Sequence, residues 1–121
     1  MEFSFKQFSL DHSLSSMKVG TDAVLLSSLM PRNRAKHILD IGTGCGVVAL
    51  LAAQFNPQAT VTAIDIDTPS MAQARNNFAS SPFADRMQAI ETSLQDFAAN
   101  KDHIGRFDLV VSNPPYFVDS L

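Results

Sequence analysis

The chain is 121 residues long, 45% apolar and 17% charged, with a formal net charge of −3 and one cysteine, Cys45. That length predicts a single domain with a modest core. The lone thiol excludes an internal disulfide and a metal-spaced cysteine cluster, and the mild acidity argues against a nucleic-acid binder that relies on a broad basic face.

The chain opens with MEFSFKQFSLDHSL, which lacks a basic flank ahead of an apolar stretch, and no later run approaches the ~20 apolar residues of a membrane span. It therefore reads as cytoplasmic, with no membrane partner. FSFKQF reads as a strand or hairpin arm, and TDAVLLSSLM as a helix capped by Thr21 and ended by Pro31. Lys6, Lys18, Arg32, Arg34 and Lys36 concentrate in this first part. They form either a small basic edge or an ordinary solvated surface.

From Lys36 onward, strand-like and helix-like runs alternate: KHILDI, GVVALLAAQF, TVTAID, PSMAQARNNFAS, MQAIET, LQDFAAN and FDLVVS. This β-α-β-α-β-α-β rhythm predicts a parallel sheet covered by helices, an α/β fold of Rossmann-like type. Asn56 and Pro57 are expected to stop the helix after Phe55. Thr68 reads as an N-cap with Pro69 at the first helical position, and Ser93 as the cap of the segment after the third strand.

The densest motif is ILDIGTGCGVVAL, in which a strand runs into Asp40, glycines fall at 42, 44 and 46, and a helix follows at once. Glycine there lets the backbone turn sharply and approach a ligand at the carboxyl end of the strand, where open α/β sheets bind. The spacing departs from the G-x-G-x-x-G of dinucleotide sites, and Asp40 would repel a pyrophosphate. A cationic or zwitterionic group suits it better, and S-adenosylmethionine carries both a sulfonium and an ammonium. AIDID then places Asp65 where a carboxylate can accept from ribose hydroxyls, with Ile66 following to pack on an adenine face. Taken singly, the glycines read as a tight turn, Asp65 as a loop carboxylate and Cys45 as a small residue that fits. Together they point to a ligand site.

NPPY, formed by Asn113, Pro114, Pro115 and Tyr116, follows FDLVVS and so belongs to the same edge. An exocyclic aromatic amine is a poor nucleophile because its lone pair is delocalised into the ring. The Asn113 side-chain carbonyl and the Pro114 backbone carbonyl can both accept from such an amine and stabilise developing positive charge. The prolines fix the loop, Tyr116 offers a stacking face, and alignment supplies much of the rate. Alone, N-P-P-Y is equally a rigid turn.

These motifs resemble those of class I S-adenosylmethionine-dependent methyltransferases that act on amino nitrogens. The stretch FSFKQFSLDHSLSSMKVGTDAVLLSSLM, with MKVGTD, LDIGTGCG, AIDID, ARNNFASSPF and SNPPY, is similar to the bacterial tRNA(Val) adenine-N6 methyltransferases, which modify the adenine beside the anticodon. The resemblance implies cofactor contacts from Lys18, Gly20, Thr21 and Asp22, from Asp40, Gly42 and Gly44, and from Asp65 and Ile66. Residues 113–116 would hold the target base, with Asn113 also beside the cofactor. Such sheets commonly carry an Asp after the third strand to hold the adenine amine; here Ser93 stands in that place, so its hydroxyl or a backbone amide, as at Leu94, must substitute.

The resemblance implies the strand order 3-2-1-4-5-7-6, of which this chain carries the first four strands. The expectation is residues 1–35 as an N-terminal extension packing on the cofactor site and 36–121 as the cofactor-binding half, with the later strands absent. The fourth strand would then be an edge, and FDLVVS, beginning at Phe107 and ending at Ser112, a seam for self-association. The function implied is methylation of the N6 amine of an adenine in a tRNA anticodon loop. The rivals are a protein-glutamine N5 methyltransferase, whose planar amide also suits NPPY, and a non-catalytic adenosyl-binding module. A dinucleotide oxidoreductase fits the glycine spacing poorly.

Overall fold

The computed structural model describes residues 2–4, 9–11, 32–103 and 105–112. Strands β1 (Glu2–Ser4) and β2 (Ser9–Asp11) pair antiparallel, with Phe3 opposite Leu10; residues 5–8 of the FSFKQF stretch lie outside the described residues. The helix expected over TDAVLLSSLM and the residues Lys18, Gly20, Thr21 and Asp22 lie outside the described residues, as do Asn113, Pro114, Pro115 and Tyr116.

The main body follows the expected alternation. It runs β3 (His37–Ile41), α1 (Val47–Phe55), β4 (Thr60–Asp65), α2 (Thr68–Ala79), β5 (Met87–Glu91), α3 (Leu94–Ala99) and β6 (Leu109–Ser112). Short 3-10 turns at Ala84–Arg86 and Lys101–His103 were not anticipated from the sequence. The four strands are parallel in the order β5-β4-β3-β6, which is the implied 3-2-1-4.

Each strand places alternate residues on opposite faces. Ile38, Val61 and Ala63 meet α1 and α2, with Val47, Val48, Leu50, Leu51, Ala74 and Phe78 completing that core. Leu39 and Ile64 face the other way, onto Phe97 of α3, with Ile41, Ile90 and Phe107 around it. Helix α1 is buried from Val47 to Ala53 because nearly every one of its positions is apolar, unlike a surface helix with one apolar stripe.

Two side chains lock the chain where it enters and leaves this layer. Asn56, fully buried, caps α1 as expected: its Oδ1 accepts from Arg34 N and Ala35 N, both at 3.1 Å, and its Nδ2 donates to Ala52 O at 3.0 Å. The Arg86 guanidinium donates to the carbonyls of Ala53 and Asn56 at the end of α1, where helical acceptors are left open, and to that of Ala59 just ahead of β4.

Two boundaries differ from the sequence reading. Helix α2 is capped by Asp67, not Thr68; Asp67 Oδ2 accepts from Ser70 N at 3.1 Å, which makes Thr68 the first helical residue and puts Pro69 second. Strand β6 begins at Leu109 because Asp108 is turned aside: its carboxylate accepts from the amides of Lys36 and His37 at 3.0 to 3.2 Å. Among the described residues β6 is a sheet edge, and Val110 on it is 54% exposed. No described helix is long and apolar enough to cross a membrane.

Candidate cofactor site

The order β5-β4-β3-β6 reverses direction beside β3, and ligands of open α/β sheets bind outside the carboxyl ends at such a point. The glycine loop stands there. Gly42 N and Thr43 N both donate to Ile64 O, at 2.9 and 3.0 Å, so the loop leaves β3 by folding over the end of β4. Gly42 has φ +72 with open space where a Cβ would stand, so it admits a ligand close to the backbone. Gly46 serves packing instead. At φ +93 it is the N-cap of α1, and a Cβ there would lie 2.6 Å from Phe78 Cε1. Asn77 Nδ2 donates to Cys45 O at 2.9 Å, holding the same turn to α2, and Cys45 itself is buried.

Asp65 closes β4 with its carboxylate turned back on the loop: Oδ2 accepts from Gly44 N at 2.9 Å and Oδ1 from Asp67 N at 3.0 Å. A carboxylate has about four lone-pair sites, so both oxygens retain capacity for hydroxyl donors. Asp65 also ties the next wall, since its carbonyl accepts from Thr92 N at 3.0 Å.

These elements enclose a cleft of about 200 Å³ lined by Ile41, Gly42, Ile64, Asp65, Ile66, Thr92, Ser93, Leu94 and Gln95. Five residues singled out in the sequence, Gly42, Asp65, Ile66, Ser93 and Leu94, therefore converge from three strand ends. Ile66 is 71% exposed and Leu94 43%, apolar surfaces left open at a polar edge, as a planar ring would require. Ser93 caps α3 as expected, its hydroxyl accepting from Asp96 N at 3.0 Å. Gly44 is drawn to Asp65 and does not line the cleft. A larger cavity of about 480 Å³, bordered by His37, Thr62, Gln88 and Phe107, shares no residue with it.

Asp40 does not line the cleft either. Period-two alternation puts it on the same face as Ile38, beneath the loop and against the start of α1, where it is 1% exposed. Thr43 Oγ1 donates to its Oδ2 at 2.8 Å, while Oδ1 has no hydrogen-bond partner among the described residues. Burial pushes its pKa up to about 7, against the lowering effect of the Thr43 hydroxyl and with a smaller raising contribution from the Asp65 charge.

Ile41, Ile64, Thr92 and Gln95 were missed as lining residues. The first two were legible as the last inward residues of their strands; Thr92 and Gln95 carry no motif. Ser112 pairs with Ile41 at the same edge, and Asn113 follows it in the chain.

Residues 8–120 match the family described as Methyltransferase small domain. A tRNA1(Val) (adenine(37)-N6)-methyltransferase of Phocaeicola vulgatus is 50% identical over 119 residues, covering 98% of this chain and 49% of that protein. The protein of the same name from Parabacteroides distasonis is 48% identical over 119 residues with the same coverage. Among solved structures, an arsenic (III) S-adenosylmethionine methyltransferase from Chlamydomonas reinhardtii superposes with a TM-score of 0.57 at 24% identity, over 69% of this chain and 31% of that one, a likeness of fold. The chain spans about half the length of the curated relatives it matches.

Proposed function

Since the chain belongs to the methyltransferase small domain family, we propose that it forms the cofactor half of an enzyme that methylates the exocyclic N6 amine of an adenine in the anticodon loop of a tRNA, in the cytoplasm. The observation that carries this is the convergence of Gly42, Asp65, Ile66, Ser93 and Leu94 on one cleft, in a chain about half identical to proteins named for that reaction.

The residues fit S-adenosylmethionine, which when bound supplies an electrophilic methyl sulfonium. Asp65 would accept from the ribose hydroxyls, Ile66 and Leu94 would cover the adenine ring, and the open space at Gly42 would admit the cofactor backbone. Asp40 acts from beneath, fixing the loop through Thr43. Residues 1–35 would close over the site through Lys18, Gly20, Thr21 and Asp22. The amine would be held by Asn113 and Pro114, with the base stacked on Tyr116. A loop base costs little to turn outward compared with one in a duplex.

The same reading takes the open edge of β6 as a seam for a second copy of the chain. Light scattering of the 121-residue chain should show a dimer that Val110→Lys disperses; a monomer at high concentration sinks that part.

S-adenosylhomocysteine binding by calorimetry tests the cofactor assignment. Binding that Asp65→Ala removes supports it, and a titration without heat or protection of the fold refutes it. Labelled methyl transfer to unmodified tRNA, set against a glutamine-bearing protein substrate, then separates the base from the amide as acceptor.

A further inference from the structure

We propose that the cavity of about 480 Å³ on the α3 side of the sheet is a second ligand site, which takes a phosphate monoester the size of a mononucleotide. It stands at the amino ends of β3, β4 and β5, the opposite end of the strands from the cofactor cleft, and it does not rest on the cofactor reading.

The sheet face beneath α3 changes character along its length. Register sets Ile41, Ile64 and Ile90 in one row at the carboxyl end, Leu39, Thr62 and Gln88 in the next, and His37 beside Thr60 at the amino end. A parallel sheet covered on both faces reads as near-continuous apolar runs, and this face does so only in its carboxyl half. Ile41 and Ile64 border the cofactor cleft, Phe97 packs on Leu39 and Ile64, and the polar rows floor the cavity beyond it.

A sheet end left to solvent would need polar residues, but neither a concave shape nor a surplus of one charge. Here Arg86, Arg106, His37 and His103 line the cavity against one carboxylate, Asp85. Arg86 donates to the carbonyls of Ala53, Asn56 and Ala59, which are neutral, so its charge is left uncancelled. The Arg106 side chain is exposed and makes no hydrogen bond or ion pair among the described residues, so its N–H donors are open to a ligand. His103 is fixed against Phe97, with ring centroids 3.8 Å apart and Nδ1 donating to Phe97 O at 2.7 Å. An arginine fork matches a phosphate in two parallel hydrogen bonds, and Thr62 and Gln88 add neutral donors from the floor. The volume is that of a small-molecule site rather than of a single ion, which selects an ester over inorganic phosphate.

The test is calorimetry of the 121-residue chain with uridine monophosphate, with uridine and succinate as controls. Uracil in place of adenine separates the probe from an adenosyl site, and saturating S-adenosylhomocysteine should leave its binding unchanged. Uridine monophosphate should bind saturably, and uridine and succinate should not. Arg106→Gln, at an exposed and unbonded side chain, should melt as the unaltered chain does and weaken the probe by about tenfold or more. Asp85→Asn, which removes the opposing charge, should tighten it by about two- to threefold. No saturable binding, succinate bound as tightly as the ester, or an Arg106 variant within twofold of the parent overturns the proposal. So does displacement of the probe by S-adenosylhomocysteine, which would put the phosphate in the cofactor cleft, or by a stem-loop RNA at lower concentration, which would make the cavity part of an RNA-docking surface.

Discussion

The amide of Gly44 donates to Asp65 Oδ2 at 2.9 Å, so the acid that ends β4 holds the loop that follows β3. A carboxylate often assigned only to a ligand is here part of the frame that shapes the site. Asp65→Asn leaves one acceptor for two amide donors and should cost about 2 kcal/mol of stability, since hydrogen bonds to a charged acceptor are worth ~1.5–3 kcal/mol. Urea unfolding of the ligand-free protein reads this directly. A variant as stable as the parent would show that the two bonds to Asp65 do not support the loop.

Asp40 should give the fold an unusual pH profile. In the native protein its carboxyl holds a proton up to about pH 7, whereas the unfolded chain releases it near the ordinary 3.8. The native state therefore binds more protons between these values, and its stability falls as pH rises from about 4 to 7, then levels. Over that window the loss attributable to Asp40 reaches roughly 4 kcal/mol at most. Asp40→Asn, of the same shape and uncharged, should flatten the fall. Equal urea-midpoint slopes in parent and variant would sink this account.

Asp108 should behave in the opposite sense. Its carboxylate accepts from the His37 and Lys36 amides, which holds its pKa below the ordinary 3.8. The stability it contributes is present above that value and lost as pH falls below it. Asp108→Asn should therefore be less stable than the parent at neutral pH, with the gap closing in acid. Chemical denaturation at pH 7 and pH 3 measures the closure, and a gap constant across that range would contradict it.

How far the residues announced this structure depends on what each feature needed. Strand and helix positions in 37–99 follow from apolar periodicity and punctuation, and Ser93 and Asn56 cap where their side-chain chemistry indicated. Helix α2 began one residue early because Asp67 and Thr68 are both good caps, and only the folded backbone decides which reaches Ser70 N. The shortened start of β6 depends on Asp108 meeting amides 71 and 72 residues away. The burial of Asp40 was in principle readable, since it shares the inward face of Ile38; the ligand-binding motif drew attention to its charge instead. Gln95 carried no signal until the wall of the cleft was seen.

The two flanking glycines of the loop should answer differently to the same change. Gly46→Ala forces a Cβ into Phe78 at a left-handed φ and should cost about 2–4 kcal/mol, partly recovered by Phe78→Leu. Gly42→Ala meets no neighbour and should cost about 1 kcal/mol, from backbone conformation alone. Thermal melts of the three variants give the ranking, and equal losses at 42 and 46 would disprove the packing role of Gly46.

Arg86 stands immediately ahead of β5, at the margin of the sheet among the described residues, with its guanidinium bonded to carbonyls at the end of α1 and at Ala59 ahead of β4. For β5 to peel away, that anchor must be drawn out of the helical layer. The turn of Thr92 and Ser93, which leads into α3, leaves directly from β5, so this wall of the cleft hangs on a strand whose start is tied to α1. A marginal strand is thereby tied to the centre of the fold, and fraying of its start must first draw Arg86 away from three carbonyls.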